Sequence, residues 1–392
     1  MKRLLRFVRI PAALVVGGVV LVACSSSGDS KGASKRSVPN VAMAKSVGAG
    51  EGQLNIIVWA GYAEKDWVQP FEKASGCQVN VKTGNTSDEM VSLMRSGQYD
   101  GVSASGDATL RLIYGGQVAP VNTKLVPNYA TVSTFLKNGS WNSVNGQMYG
   151  IPHGWGANLL MWDPRTVKGS LDSWSAVFDN ASTYKGKVTA YDSPIYIADA
   201  ALYLMKTKPD LKIKDPYSLT PKQLDAAIAL LKQQSQNVGE YWADYNKEVQ
   251  AFESGTSVVG TTWQVIANTI NGGKKTTVKT VLPKEGATGW SDTWMIAAKA
   301  KHPNCMYKWM DWIVSPKANA QVAEFFGEAP AQTKACEQTS DKSFCTTYHA
   351  LDAAYAKQIH YWTTPQKQCV DGSGDNCTDY STWTTKWQEV KG

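Results

Sequence analysis

The stretch Leu54-Asn55-Ile56-Ile57-Val58-Trp59 begins the pattern that decides the class of fold. It is a short apolar run of strand length, and an amphipathic stretch over 66–74 follows it, with Trp67 and Phe71 four residues apart. Pro70 is expected to delay the start of this helix. Further strands are predicted at 77–81 and 99–102, and a further helix at 90–95. Strands that alternate with helices form parallel sheets covered by helices, so the sequence predicts an α/β fold that starts with a βαβαβ unit.

The second half of the chain continues this alternation. Thr220-Pro221-Lys222-Gln223 combines an N-cap residue, a proline at the first helical position and a glutamine three residues after the cap, so a helix is predicted to start here. Strands are predicted at 258–263 and 277–282. An apolar stripe that ends before Pro316 predicts a helix face packed in the core, not a ligand site; it consists of Met306, Trp309, Met310 and Ile313.

Length and charge limit the classes of protein. The chain has 392 residues, of which 43% are hydrophobic and 19% charged, enough for two lobes of about 150 residues each. The formal net charge of +7 includes four basic residues before position 10, and removing these four leaves +3. After the N-terminal region, no basic run is longer than Lys274-Lys275. The sequence therefore predicts no nucleic-acid partner.

The N-terminus indicates export. A basic start and an apolar run over 10–22 lead to Leu21-Val22-Ala23-Cys24, which resembles the lipobox of bacterial lipoproteins. The resemblance implies that residues 1–23 are a lipoprotein signal peptide and that Cys24 carries a lipid. A transmembrane anchor and an ordinary cleaved signal are the alternatives, but a run of 13 residues is short for spanning a membrane. We expect the protein at the outer face of the cytoplasmic membrane or in the periplasm.

Residues 24–53 are rich in Ser, Gly, Ala and Lys and have no apolar periodicity. Such a composition is typical of a flexible tether that does not pack, so the folded body is expected to start near Leu54.

The remaining cysteines agree with export. Apart from Cys24 there are six, an even number, which an oxidising compartment would pair: Cys77, Cys305, Cys336, Cys345, Cys369 and Cys377. Six cysteines allow 15 pairings. We prefer the short loops Cys336–Cys345 and Cys369–Cys377, which leave Cys77 with Cys305. A zinc site is the alternative, but no CxxC pair is present and the only histidines are scattered, at 153, 302, 349 and 360, so no metal is predicted.

Catalytic and cofactor motifs are absent from the sequence. There is no GxSxG, HExxH, P-loop or GxGxxG segment that opens a helix. We therefore predict a protein that is not an enzyme and needs no cofactor, with an exported enzyme as the alternative.

Tryptophan is abundant instead, with 15 residues. Trp59, Trp155, Trp263 and Trp290 lie at predicted strand ends, where ligands sit in open α/β sheets, so they are predicted to line a pocket; core packing is the alternative for each. Aromatic rings attract cations, and a carboxylate can hold an ammonium group. Asp292, two residues after Trp290, is the candidate carboxylate, with an exposed loop aspartate as the alternative.

At these residues the chain resembles the periplasmic spermidine/putrescine-binding proteins of ABC importers, from about Leu54 to Gly327. The resemblance lies in the segments 54–62, 99–105, 149–156 and 283–292. It implies a two-lobed α/β periplasmic-binding-protein fold, type II-like, with two crossover segments and a hinge motion that closes the lobes. Lobe 1 would comprise residues 54–155 and 292–335, and lobe 2 residues 156–291 and 336–392.

The resemblance also carries site residues, namely Trp59, Ser105, Trp263, Trp290 and Asp292. Asp107 falls where relatives often have an aromatic residue. After a second-lobe strand, relatives have two acidic residues three apart that hold an amine. Here the segment Asp192-Ser193-Pro194-Ile195-Tyr196 has Ser193 and Tyr196 at those positions, with Asp192 adjacent.

This difference leaves the second end of the ligand open. A buried ammonium without a partner costs several kcal/mol, so a diamine needs acceptors at both ends. Either Asp107 or Asp192 binds the second end, or the ligand has one cationic head. The resemblance implies a monomeric solute-binding protein that delivers a polyamine to ABC permease subunits. Alternatives are another small organic cation (a quaternary amine, a monoamine or an amino sugar), an exported enzyme, or a carbohydrate adhesin.

Overall fold

The computed structural model describes residues 37–370 and 372–392. The predicted signal peptide and Cys24 therefore lie outside the described residues. The described strands are β1 Gln53–Val58, β2 Gln78–Thr83, β3 Gly101–Ala104, β4 Ser143–Val144, β5 Gln147–Met148, β6 Ile151–Ala157, β7 Leu159–Trp162, β8 Val188–Tyr191, β9 Val238–Trp242, β10 Val259–Thr262, β11 Lys279–Val281, β12 Ala287–Ile296, β13 Ala329–Pro330 and β14 Ile359–Tyr361.

The described α-helices cover the sheets and connect their strands. They are α1 Lys65–Ser75, α2 Ser87–Arg95, α3 Gly106–Tyr114, α4 Ile197–Thr207, α5 Pro221–Ser235, α6 Tyr245–Ser254, α7 Gln264–Gly273, α8 Pro303–Ile313, α9 Pro316–Phe326, α10 Phe344–Thr347, α11 Ala353–Ala356 and α12 Tyr380–Lys391.

The first sheet has the strand order β13-β6-β12-β3-β1-β2, with β14 beside β12. Strand β1 pairs in parallel with β2 and β3, which confirms the predicted βαβαβ start. Strand β12 is antiparallel to both β3 and β6. The carboxyl ends of β1 and β3 therefore lie side by side, and the residues that follow them can share one site.

The second sheet has the order β11-β7-β10-β8-β9. Strand β8 is parallel to β9 and β10, whereas β7 is antiparallel to β10 and β11. The chain passes between the sheets at residue 158 and again over 282–286. This is the predicted two-lobed α/β fold with the two predicted crossover segments, and a third passage after β14 leads to α12 on the second lobe.

Strands β12 and β14 both pair in the first sheet, although the sequence assigns residues 287–291 and 359–361 to lobe 2. Helix α12 packs on α5 of the second lobe. The C-terminal region after residue 336 thus contacts both sheets.

Residues 37–52 have no regular secondary structure, yet they pack against the first lobe. Val41, Ala44 and Val47 are partly buried against the core. The backbone N–H of Gly48 donates to Oδ1 of Asn304 at 2.7 Å. The prediction of an unpacked tether is therefore wrong for residues 37–52, because these contacts are made with distant segments and leave no periodicity in the sequence.

Two helices illustrate how local signals and tertiary packing combine. Helix α5 begins at Pro221, with the Thr220–Gln223 capping box formed as predicted. Helix α1 begins at Lys65 and contains Pro70 in its interior, so the expected late start is wrong. The ring of Phe71 packs edge-on against Trp309 with centroids 5.1 Å apart, and burial of this kind offsets the backbone hydrogen bond that a proline removes.

The predicted stripe on α8 is buried in the core, as expected. The sulfur atoms of the six cysteines lie at bonding distance in the preferred pairing, Cys77–Cys305, Cys336–Cys345 and Cys369–Cys377. In the described part of the chain, no group of three or more His, Cys, Asp or Glu residues is placed to hold a metal ion. No helix of these residues is long and apolar enough to cross a membrane.

Candidate ligand-binding site

Asp292 is the centre of the candidate site. It lies in β12 at a register irregularity opposite β6, and its side chain is only 3% exposed. The hydroxyl of Ser105 donates to Oδ1 at 2.5 Å, and the hydroxyl of Tyr62 donates to Oδ2 at 2.7 Å. Ser105 follows β3 and Tyr62 follows β1, so the carboxyl ends of two parallel strands supply both donors.

In the part of the chain that the structure describes, the carboxylate of Asp292 has no cationic partner. Burial raises its pKa to about 7; the two hydroxyl hydrogen bonds oppose this shift, and the nearby carboxylate of Asp107 adds to it. Among residues 37–370 and 372–392, no lysine or arginine forms an ion pair with Asp292. A buried carboxylate without such a partner can bind a cation from solution.

Glu328 is a second buried carboxyl at the same place, and the sequence analysis missed it. It follows α9 and the left-handed Gly327, which turns the chain back into the lobe. The Tyr62 hydroxyl lies 2.9 Å from Glu328 Oε2 as well. A Cβ atom at Gly154 would lie 2.0 Å from the Glu328 carboxyl carbon, so this packing requires a glycine there. No motif marks Glu328, because its neighbours come from β1 and β6.

His153 lies on the other side of Glu328 and is neutral. Its Nδ1 is 3.5 Å from Glu328 Oε1, and its Nε2 is 3.1 Å from the Ser103 hydroxyl. Burial lowers the pKa of His153 to about 3 and raises the pKa of Glu328 well above its ordinary value. The imidazole therefore does not neutralise the carboxylates.

Aromatic rings form the walls beside Asp292. Trp263 and Trp290 contact each other at a centroid distance of 6.4 Å, and Trp290 packs edge-on against Phe326 at 5.8 Å. The Nε1 of Trp263 donates to Oδ1 of Asn158, in the first crossover. These contacts hold two of the predicted tryptophans together between the two sheets.

The crevice opens into a cavity of about 500 Å³ between the lobes, the cleft mouth. Trp59, partly buried, and Glu64 line it from the first lobe, and Asp244 and Trp263 from the second. The other lining residues are Ala60, Gly61, Gly84, Asn85, Ala243, Tyr245, Asn246, Val265, Thr269, Phe325 and Phe326. The mouth is thus aromatic, with one acidic residue on each side.

Trp155 lies deeper than expected. It is fully buried in β6, and its ring packs edge-on against Phe135 at 5.3 Å. Together with Trp263, Trp290 and Glu328 it lines a second cavity of about 30 Å³, the inner cavity. Trp155 and Trp290 lie within β6 and β12, so the prediction that all four tryptophans lie at strand ends is wrong for these two.

Trp362, which the sequence analysis did not select, also lies between the sheets. Its ring stacks on Tyr191, at the end of β8, with centroids 5.7 Å apart and an interplanar angle of 9°. Two residues on, the Thr364 hydroxyl donates to the backbone oxygen of Asp107 at 2.8 Å. The segment after β14 therefore lies across the crevice.

Asp107 lies beside this segment without contacting Asp292. It is fully buried near the start of α3 and accepts a hydrogen bond from the Ser87 hydroxyl at 2.8 Å. Burial raises its pKa to about 6. Arg111, on the next turn, forms its ion pair with Asp88 instead. Asp107 is thus another buried acid near the crevice.

Asp192 and Tyr196 are engaged within the second lobe. Asp192 accepts hydrogen bonds from Lys391 Nζ at 2.5 Å and Trp387 Nε1 at 3.2 Å, both on α12. The buried Tyr196 hydroxyl accepts one from Gln234 Nε2 at 2.9 Å. Their hydrogen bonds lie within the second lobe, so the structure does not place these two residues beside Asp292. The lysine that binds Asp192 is 199 residues away in sequence.

Comparisons with known proteins identify the family of the chain. The sequence profile described as "bacterial extracellular solute-binding protein" matches residues 66–368. The chain belongs to this family. The resemblance noted from the sequence is thereby confirmed. The family and the relatives compared with it are solute-binding proteins, which act outside the cytoplasm.

Individual relatives are distant in sequence and close in fold. The putrescine-binding periplasmic protein of Pseudomonas aeruginosa is 25% identical over 287 residues, which cover 69% of this chain and 76% of that protein. A structure described as a putative spermidine/putrescine ABC transporter from Listeria monocytogenes superposes with a TM-score of 0.72 and 18% identity, covering 87% of this chain and 99% of that one. The Agrobacterium tumefaciens protein MotA, solved with glucopine, has a TM-score of 0.68 and 16% identity, covering 87% and 100%.

Proposed function

We propose that this solute-binding protein is the extracytoplasmic component of an ABC importer and that it captures a polyamine-like cation between its lobes. The observation that supports this best is Asp292, a buried carboxylate with two hydroxyl donors, no lysine or arginine partner in the described chain, and aromatic walls beside it. An ammonium group would supply the missing positive charge through charge-assisted hydrogen bonds. The name of the P. aeruginosa relative adds support for putrescine as a ligand.

The ligand would extend from Asp292 toward the cleft mouth. Its ammonium would bind Asp292 beside Ser105, and its alkyl chain would pack along Trp263 and Trp290. Trp59 would cover the outer part of the chain. At the mouth, Glu64 and Asp244 face the same cavity from opposite lobes, so a second ammonium at this end would meet negative charge. Lobe closure over the ligand would bring the two sides together.

A second candidate is a cation with a single charged head, such as a monoamine, a quaternary amine or an amino sugar. One observation favours it: Asp192 is already neutralised by Lys391, and Tyr196 is hydrogen-bonded in the second-lobe core. The second lobe then offers no deep carboxylate for the far end of a diamine. The two candidates differ in whether the acids at the cleft mouth contribute to affinity.

The proposed function also implies a cellular location for the protein. Lipidation of Cys24 would hold it at the outer face of the membrane, as a monomer that docks on the permease subunits. The three cysteine pairs would form disulfides in that oxidising compartment. Lobe 1 would include β12 and β14, and lobe 2 the second sheet with α12.

A thermal-shift screen tests this function. A ligand that binds only the folded state stabilises by about 2.7 kcal/mol at a concentration 100 times its Kd, so putrescine, spermidine, choline, glucosamine and neutral sugars can be compared at millimolar concentrations. A shift with putrescine or spermidine supports the leading proposal. A shift with choline or glucosamine alone supports the single-headed cation. A shift with neutral sugars alone, or with no compound on a folded protein, overturns cation capture.

A further inference from the structure

Tyr62 offers one proton to two carboxyl groups. Its hydroxyl oxygen lies 2.7 Å from Asp292 Oδ2 and 2.9 Å from Glu328 Oε2. A phenol has a single O–H and donates it to one acceptor at a time. If both carboxyls were ionised, the second would face a lone pair of the phenol oxygen in a buried site, which is repulsive.

A protonated Glu328 removes this conflict. Its Oε2–H would donate to the Tyr62 oxygen, and Tyr62 would donate to Asp292, which also accepts from Ser105. Asp292 then has two donors and holds the negative charge. Among the described residues, the Glu328 carboxyl group has Tyr62 as its one hydrogen-bonding partner, and its Oε1 has none. The proton therefore belongs on Glu328 in the ligand-free protein.

Glu328 also faces a space that suits a cationic head. It lines the inner cavity together with Trp155, Trp263 and Trp290, three aromatic rings whose faces attract positive charge. The cavity volume of about 30 Å³ exceeds the roughly 10–15 Å³ that one water molecule needs, and an ammonium group is of comparable size to water.

The spacing of the two carboxyls fits one ammonium. Because both oxygens contact the same hydroxyl, they are separated by no more than the sum of their distances to it, 5.6 Å. An ammonium nitrogen whose tetrahedral N–H donors form charge-assisted hydrogen bonds of about 2.8 Å joins oxygens roughly 4.6 Å apart, a separation within this limit. A primary ammonium has three N–H donors, one for each carboxylate and one to spare.

We propose that Glu328 is a second acidic residue of the binding site, and that capture of a primary ammonium between Glu328 and Asp292 expels one proton. The O–H bond of the Glu328 carboxyl breaks, its proton passes to the solvent buffer, and the carboxylate formed pairs with the ammonium. This inference rests on the proposed function, because it assumes that the ligand is an amine.

His153 and the phenols near Glu328 are uncharged, so the positive charge that ionises Glu328 comes from the ligand. His153 on β6 is uncharged, and Tyr62 keeps its proton because burial raises its pKa well above the ordinary value. Asp107 on α3 is near Asp292 and disfavours its ionisation, and His349 lines the inner cavity with Glu328. Burial also raises the pKa of Tyr348, beside α10, to about 12, so this phenol stays neutral.

The consequence is an affinity that rises with pH. Where Glu328 is protonated in the free protein, release of one proton on binding lowers Kd by up to about tenfold per pH unit. This dependence ends above the pKa of Glu328 in the free protein. Above the pKa of Asp292, about 7, a site in which Asp292 alone binds would have an affinity nearly independent of pH.

Isothermal titration calorimetry with putrescine tests this on the full-length mature protein. Titrations at pH 7.5, 8 and 8.5, where Asp292 is mostly ionised, each in two buffers with different ionisation enthalpies, give the number of protons that Glu328 releases. We expect a number near one at the lowest pH and a Kd that falls as pH rises. The Glu328→Gln variant should release no proton and bind about ten- to hundredfold more weakly at pH 8, since a charge-assisted hydrogen bond is lost.

Matched variants separate the outcomes. Glu337→Gln, at an exposed glutamate, is the control for the charge change and should match the wild type. Glu328→Asp keeps a titratable acid and should keep proton release, and melting curves verify that each variant folds. Putrescine binding without proton release, with Glu328→Gln unaltered, overturns the role of Glu328 and leaves the proposed function standing. Proton release that is lost only in Asp292→Asn also overturns it. No amine binding by the wild type overturns both.

Discussion

The two acidic regions that flank the crevice differ in how their charge is balanced. In the first lobe, Asp292 and Glu328 share the hydroxyl of Tyr62, and no lysine or arginine of the described chain pairs with them. In the second lobe, Asp192 is bound by Lys391 and Trp387 of the C-terminal helix. Asp292 lies within β12 and Asp192 directly follows β8, so each of these acids is held by a sheet strand.

The difference indicates what makes a carboxylate a ligand-binding group. A carboxylate that is already paired gains little from a second cation, whereas a buried carboxylate that lacks a cationic partner gains much, because its desolvation has not been offset. We therefore expect ligand affinity to depend on the first-lobe acids and fold stability on the second-lobe pair.

The largest effect is expected for Asp292→Asn. Removing one partner of a buried, hydrogen-bonded charge pair costs at least about 2 kcal/mol, so putrescine affinity should fall by at least about thirtyfold. Calorimetric titration measures this. The control is Asp172→Asn, because the Asp172 side chain is 73% exposed and faces only Lys284. An affinity within threefold of the wild type would remove Asp292 from the site.

A smaller loss is expected for Trp263→Leu. The ring contributes a cation–π and packing surface beside Asp292, worth about 1–2 kcal/mol, so affinity should fall by about tenfold. Trp263→Phe keeps an aromatic face and should recover part of it. Trp312→Leu is the control: this partly buried tryptophan of the first lobe donates to the backbone of Trp67, outside the crevice. Equal losses in both variants would indicate general destabilisation instead of a binding wall.

The ligand-free protein should lose stability as pH rises. The pKa of Asp292 is raised to about 7 in the folded state, whereas an aspartate in an unfolded chain titrates near ~4. The folded state thus binds more protons between about pH 4 and pH 7, and stability decreases across that window. Melting temperatures at pH 5 and pH 8 measure the loss. Asp292→Asn should reduce it without abolishing it, because burial also raises the pKa values of Asp199 and Glu248. A variant that keeps the whole loss would contradict the assignment.

The smallest effect on binding is expected for Asp192→Asn. The ion pair with Lys391 is partly exposed, so its loss should lower the free energy of unfolding by no more than about 1 kcal/mol. Putrescine affinity should stay within about threefold of the wild type. Lys391→Gln removes the same pair from the other side and should behave alike. A tenfold loss of affinity in Asp192→Asn alone would place the second end of the ligand at this residue.

Much of the fold was predictable because its signals are local. The alternation of strands and amphipathic helices, the capping box at Thr220 and the apolar stripe of α8 depend on neighbours within a few residues. The start of α1 was not predictable from Pro70, because distant packing around Phe71 overrides the local preference of proline. The packed course of residues 37–52 was missed for the same reason.

The candidate site was predictable in part. Asp292 was indicated by its place two residues after Trp290 and Ser105 by the family resemblance, and the structure joins them by a hydrogen bond. Glu328 and Trp362 were not indicated, since neither belongs to a motif. Glu328 reaches the crevice through the turn at Gly327. Trp362 reaches it through the segment after β14, which returns from the C-terminal region.

The sequence by itself therefore determined the class of fold and indicated a preferred pairing of the cysteines and a site rich in aromatic and acidic residues. Each of these follows from residue types and spacings along the chain. Only the tertiary structure decided which acids are paired, because Lys391 and Asp192 are 199 residues apart and Tyr62 and Glu328 are 266 apart. Charge balance in a buried site depends on distances in space, and those are set only when the two sheets and the C-terminal helix have packed.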